Sequence, residues 1–215
     1  SRGIITTNER SAAITIPVYG RIKQLYMAEN TYVAKGDLLL LIDSSEANQN
    51  KILTQEKIKQ LRSFITDLEM LTTSSTTSLL QTPRYKQEYR KYNSDLNYQQ
   101  CEIDIYKKEY DRQTKLYKNE VISAAEYEQA TYKYENAVLK QQQLQSTQLS
   151  TWQSELESSK TQLISYSQSL IEQERELDKY FVYAPFDGYI QALSGVSEAS
   201  LVFSGQEVAT LIPNT

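Results

Sequence analysis

Residues 37–187 contain no glycine, and the only proline between 44 and 179 is Pro83. A chain that turns often draws on both residue types, so a stretch this long without them is committed to helix. The flanks have the opposite character. All six glycines lie at or before Gly36 or at or after Gly188. The flanks also repeat one motif. Pro17-x-x-Gly20-x-Ile22 is followed by Gly36 and the apolar run Leu38 to Ile42, and Pro185-x-x-Gly188-x-Ile190 by Gly205 and the run Val208 to Ile212. This arrangement predicts a small β unit divided in sequence, with a helical arm emerging between its halves. Such a shape fits a spacer better than a pocket for chemistry.

Composition narrows the functions further. With no histidine, the chain has no His-based acid–base pair or triad and lacks the commonest zinc and iron ligand. A formal net charge of −4 argues against a nucleic-acid surface, which needs a basic face. The one cysteine, Cys101, excludes an internal disulfide and reads as a half-exposed thiol on a helix. No catalytic, metal or cofactor-binding residues are expected. No apolar stretch approaches the ~20 residues that span a bilayer, and any membrane anchor is expected outside these residues.

The first half, residues 13–43, alternates apolar and polar residues around Ile14 and Ile16, and Lys35-Gly36-Asp37 reads as a tight turn. The second half, residues 180–213, enters a turn at Ala184-Pro185-Phe186-Asp187-Gly188. Gly20, Gly36, Gly188 and Gly205 are read as its turn glycines. The paired halves resemble the lipoyl/biotinyl-carrier fold, a flattened β-barrel of two such units. That resemblance implies a modifiable lysine in the hairpin after the apolar strand and an acidic residue. Here Leu39-Leu40-Leu41-Ile42-Asp43 is followed by Ser44-Ser45-Glu46, so a carrier function is not expected.

Residues 44–179 divide into helices over about 44–72, 83–118 and 123–178. Asp43 with Glu46 reads as the cap of the first, whose stripe is Ile58, Leu61, Ile65 and Leu68. The Thr/Ser run from Thr72 to Ser78 should break it, and Thr82 should cap the second helix, with Pro83 in its first turn. Tyr89, Leu96, Ile103, Tyr110 and Tyr117 recur at seven-residue spacing, with Tyr85, Tyr92, Gln99, Tyr106 and Gln113 as companions. The third helix carries Leu149, Leu156, Leu163, Leu170 and Leu177 in its later half, with Trp152 and Tyr166 three beyond the first and third, and Tyr127, Ala130, Tyr134, Ala137 and Leu144 in its earlier half. Such seams pack as an antiparallel coiled-coil hairpin. The third helix would run roughly 80 Å, giving a rod on a β base. The tyrosines read as a wide seam, with a ligand surface as the alternative. The leucine-lined half should carry more stability than the half holding Gln99, Gln113 and Gln141.

The turn at 118–123 holds the most specific pattern. Arg112, Leu116 and Ser123, followed by Glu126-Tyr127, stand at the spacing found at the hairpin tips of periplasmic adaptors, or membrane fusion proteins. With the divided β halves, the chain resembles the HlyD family from Ala13 to Pro213. The fold class is then α+β, a long antiparallel coiled-coil hairpin inserted between the two halves of a lipoyl-like barrel. Residues 1–12, including Gly3 to Thr7, would be the remnant of a strand leading to other domains. The resemblance implies an adaptor ring, commonly of six, in the periplasm and anchored to the inner membrane. It would join an inner-membrane transporter, of ABC or major-facilitator type, to a TolC-like outer-membrane channel. Arg112, Leu116 and Ser123 would be the docking residues, though Ser123, with Glu126 three residues on, also reads as a capping box. A Gram-positive adaptor without an outer-membrane channel, and a coiled-coil scaffold without transport, are the alternatives.

Overall fold

The computed structural model describes residues 11–73 and 79–214. Most of the Thr/Ser break (74–78) and the segment Gly3 to Thr7 lie outside these. The described elements run β1 (Ala12–Thr15), β2 (Gly20–Leu25), β3 (Tyr32–Val33), β4 (Leu38–Ile42), α1 (Ser45–Thr72), α2 (Pro83–Lys118), α3 (Ala124–Asp178), β5 (Phe181–Tyr183), β6 (Gly188–Gln191), β7 (Leu201–Val202) and β8 (Glu207–Pro213).

The strands form two four-stranded antiparallel sheets, ordered β1-β8-β6-β3 and β5-β4-β2-β7. Each sheet takes two strands from before the helices and two from after them. The repeated motif appears as equivalent pairings, Ile22 opposite Ile42 in one sheet and Ile190 opposite Leu211 in the other. All four of those side chains are buried, in a core shared with Ile14, Ile16, Leu39, Leu40, Val202 and Val208. Neither half can bury its apolar face without the other, because every sheet is built from both.

The four motif glycines have two different roles. Gly36 and Gly205 adopt φ of +88° and +83°, the left-handed turn conformation that side chains resist. Gly20 and Gly188 do not close turns. They begin β2 and β6, and a Cβ on Gly188 would lie 2.2 Å from the Ile212 carbonyl oxygen. Their glycine requirement is close approach between strands, which spacing alone did not distinguish from a turn. The halves are also fastened through side chains, since Asp187 Oδ1 accepts the Lys35 backbone N–H at 2.7 Å.

The described residues make two compact units, one of those up to Glu56 with those from Ser167 on, the other Lys57–Tyr166. The β unit therefore includes about three turns of α1 and of α3, rather than ending at 43 and 180. Within it Lys51 pairs with Glu174 at 3.1 Å. The cap at α1 also differs from the sequence reading. Asp43 accepts the Ser45 N–H and hydroxyl at 3.1 and 2.6 Å, one residue ahead of a capping box with Glu46. Those bonds hold the Asp43 carboxyl below its ordinary pKa.

In the second unit, Ile58, Leu61 and Leu68 of α1 are buried, and Ile65 is half-buried. On α3 the buried line is Ala130, Ala137, Trp152 and Leu156. Of the strict leucine heptad only Leu156 belongs to that line. Within this unit Leu149 is 39% exposed and Leu163 half-buried, and Leu170 and Leu177 of the first unit are half-buried too. Trp152, three residues beyond Leu149, points inward instead. Its indole N–H donates to Glu88 Oε1 at 2.7 Å, and its ring meets Tyr92 edge-on at 5.1 Å.

The start of α2 holds a feature invisible to local patterns. Thr82 occupies the cap position, but its hydroxyl makes no cap bond to the helix. It donates to Asp67 instead, a fully buried carboxylate on α1 that also accepts the N–H groups of Gln81 and Thr82, each at 2.7 Å. Three donors satisfy a charge that would otherwise be costly to bury. Beside it, Leu68, Leu71, Leu80, Tyr85, Trp152 and Leu156 form one apolar cluster.

Candidate functional site

The site with the most specific sequence signature is the turn between α2 and α3. Helix α2 ends without glycine. Asn119 caps it, and Glu120 takes the left-handed conformation at φ +57°. The N–H of Val121 donates to the Leu116 carbonyl at 2.9 Å and that of Glu120 to Tyr117 at 3.0 Å, so two terminal carbonyls of α2 are satisfied by the chain's own reversal. Two residues on, α3 opens with a reciprocal box. Ser123 N–H and Oγ donate to Glu126 Oε2 at 2.9 and 2.8 Å, and Glu126 N–H donates back to Ser123 Oγ at 3.3 Å. These bonds hold the Glu126 carboxyl below its ordinary value, the backbone donor contributing most.

Behind the turn, tyrosines bridge the two helices. Tyr117 stacks on Tyr127 with centroids 4.8 Å apart and planes 6° from parallel, and Tyr110 stacks on Tyr134 at 5.4 Å. The Tyr110 hydroxyl meets that of Tyr127 at 3.5 Å, a contact that raises the Tyr110 pKa and lowers that of Tyr127. Lys107 lies over the Tyr134 ring, 5.4 Å from its centre. The rings pack against each other while their hydroxyls reach the rim, as a wide seam requires.

The three motif residues sit differently. Arg112 is exposed and ion-paired with Glu109 on its own helix. Leu116, one turn further on, is half-buried and shares that helical face with Arg112. Ser123 is committed to the capping box, so its hydroxyl is occupied as donor and acceptor. No described hydrogen bond joins Arg112 or the Leu116 side chain to Ser123. Val121, at the turn itself, is 66% exposed and was not singled out from sequence. Its only sequence signal was an apolar residue at a predicted turn. Gly20, Gly36, Gly188 and Gly205 all belong to the β unit and take no part in this site.

Two long helices joined by a doubly capped turn, inserted into a β unit built from both chain ends, define a class of protein. The sequence model of the LcnD-like, barrel-sandwich hybrid domain matches residues 11–213, and the chain belongs to that family. The match bears out the resemblance to HlyD-family membrane fusion proteins. Among solved structures, the soluble domain of LipC, a membrane fusion protein of a type I secretion system, aligns with a TM-score of 0.62 at 11% identity, covering 95% of this chain and 100% of that one. The periplasmic adaptor protein EmrA aligns with a TM-score of 0.53 at 17% identity, covering 95% of this chain and 72% of that one. At those identities the likeness is one of fold. No curated protein matches in sequence. Among the described residues no helix is long and apolar enough to cross a membrane.

Proposed function

We propose that this chain is the hairpin-bearing part of a periplasmic adaptor that joins an inner-membrane transporter to a TolC-like outer-membrane channel. The β unit is read as a lipoyl-like domain split by the hairpin, and the adaptor as a ring of six anchored to the inner membrane through segments outside these residues. An ABC-type transporter, and hence type I secretion, is favoured over a major-facilitator pump. The observation that carries the reading is the turn. Its backbone is satisfied internally at both helix ends, leaving the Arg112 and Leu116 face of α2 beside exposed Val121. An arginine fork can bind terminal carbonyls of a partner helix, and an apolar side chain beside it can fill the groove between two partner helices.

The test separates docking from folding. Arg112→Gln and Leu116→Ser should keep wild-type helicity and melting, yet fail to restore export in cells lacking the native adaptor. Cross-linking from the turn to the outer-membrane channel should fall with it. Ser123→Ala is expected to act through the cap. Normal export by both Arg112→Gln and Leu116→Ser would end the docking assignment.

A further inference from the structure

The stripe of α2 that carries Arg112 and Leu116 holds two more polar residues. Glu109, Arg112, Gln113 and Leu116 follow one another at helical spacing, so they share one face of the helix. The Glu109 carboxylate is engaged from two sides. Its Oε1 accepts a Gln113 Nε2–H at 2.6 Å, and its Oε2 pairs with the Arg112 guanidinium. Among the described residues Arg112 has no other ion-pair partner. Glu109 and Gln113 are half-buried, while Arg112 is exposed.

Gln113 is unfavourable for the seam in which it stands. One heptad earlier the same position holds Tyr106, whose ring can pack. The Gln113 Oε1 is buried and accepts no hydrogen bond, which costs stability. Turning the amide over would bring no relief, because its oxygen would then face a carboxylate that can only accept. Among the described contacts its side chain makes one hydrogen bond, the one to Glu109. The residue serves the acid and not the packing.

We propose that Gln113 and Glu109 are positioning residues for Arg112. Gln113 fixes the carboxylate, and the carboxylate holds the guanidinium against the flank of α2. A surface ion pair between two free side chains is worth little, because ordering both offsets the attraction. Here the acid is already ordered by a bond from the seam, so only the arginine remains to be fixed. An arginine fork has donors to spare, so one pinned by Glu109 can still bind carbonyl oxygens of a partner helix end. A long side chain ordered before association spares the complex that entropic cost, an effect of about threefold to tenfold in affinity. The inference rests on the docking reading and names the residues that prepare its arginine.

The experiment has two readouts. In the 215-residue chain, 15N relaxation of the Arg112 Nε–H, identified by its loss in Arg112→Gln, should report an ordered side chain. Glu109→Gln and Gln113→Met should each leave it as mobile as Arg90, which is exposed on the same helix and in no described ion pair. In cells lacking the native adaptor, both variants should lower cross-linking from the turn to the outer-membrane channel about threefold to tenfold. Neither should add to the loss caused by Arg112→Gln, since both act through that side chain. Gln113→Met keeps the bulk and removes the unbonded oxygen, so melting should hold or rise while docking falls. A role in packing alone predicts no loss of docking. An Arg112 side chain equally ordered in all three chains overturns the proposal. So does full cross-linking by either variant, or a further loss on top of Arg112→Gln. In those cases a loss with Arg112→Gln keeps the docking reading. Normal cross-linking by Arg112→Gln overturns docking, and the positioning role falls with it.

Discussion

The hairpin's two ends are held by different means. Around Leu68 three helices and the Leu80–Thr82 segment converge, and Leu68, Tyr85, Trp152 and Asp67 are all at most 3% exposed. Near the turn only α2 and α3 are present, and Tyr110, Tyr127 and Tyr134 are each half-buried. Two helices enclose few large side chains, Ile103 being one, so the upper seam relies otherwise on broad rings that stack and on small residues, Ala130 and Ala137, that let the helices approach. It also tolerates glutamines, with the Oε1 atoms of Gln99 and Gln113 buried and unbonded. The lesson is that stability and availability are separated along one hairpin. The enclosed end fixes α2 against α1 and α3, while the turn end keeps its side chains accessible to a partner.

The sharpest test of that contrast is truncation. Leu68→Ala removes a side chain enclosed on all sides and should cost about 2–5 kcal/mol in denaturant unfolding. Leu163→Ala, at a half-buried position, should cost less, and Ala137→Ser or Gln113→Ala least. Equal costs at Leu68 and Gln113 would mean that the two ends are not held differently.

Next comes the buried carboxylate. Asp67→Ala strands the N–H groups of Gln81 and Thr82 and should cost about 3 kcal/mol, the scale of hydrogen bonds to a charged group. Thr82→Ala, which removes only the hydroxyl, should cost clearly less. If the two were alike, the backbone donors would be finding other acceptors and Asp67 would not be what secures α2.

The smallest effects concern pH, and the two ends should respond in opposite directions. Burial, and then the hydrogen bond donated to Glu155, raise the Tyr85 phenol well above its ordinary value of 10.0. A raised folded pKa favours the protonated form, so this stabilisation is full below pH 10 and is lost as pH rises beyond it. At the turn, the lowered Glu126 carboxyl contributes above its ordinary value of 4.5 and is lost as pH falls through its folded pKa. Amide exchange should therefore show 119–126 opening first in acid, and the Tyr85 region weakening first in alkali. Tyr85→Phe should reduce the alkaline sensitivity, and Glu126→Gln the acid one. Simultaneous opening of both regions at either extreme would show that they behave as one cooperative unit.

Much of the fold was legible because its signals are local. The helix limits read from Pro83 and Ser123, and from the polar runs after Thr72 and Lys118, lie within one residue of those observed. A capping box or a proline acts through its immediate neighbours, so sequence is enough to place it. The Ser123–Glu126 box was read in advance for that reason, and so was the inward stripe of Ile58, Leu61 and Leu68. The closing of α2 at Glu120 was not legible, because a left-handed glutamate carries no residue signature of its own.

What sequence left open were choices between equivalent neighbours. The leucine heptad and its companion Trp152 both have helical spacing. Which faces inward depends on the helices opposite, and Trp152 turned in toward Glu88 and Tyr92 while Leu149 was left out. Thr82 can cap a helix or bond a carboxylate fifteen positions away, and only the approach of α1 to α2 presents Asp67. Likewise the repeated Pro-x-x-Gly-x-Ile halves announce two similar β units but not that each sheet takes two strands from each. Strand exchange between halves is decided by the shared core, since hydrogen bonding along a strand edge is the same for any partner and only burial of the opposite face distinguishes them.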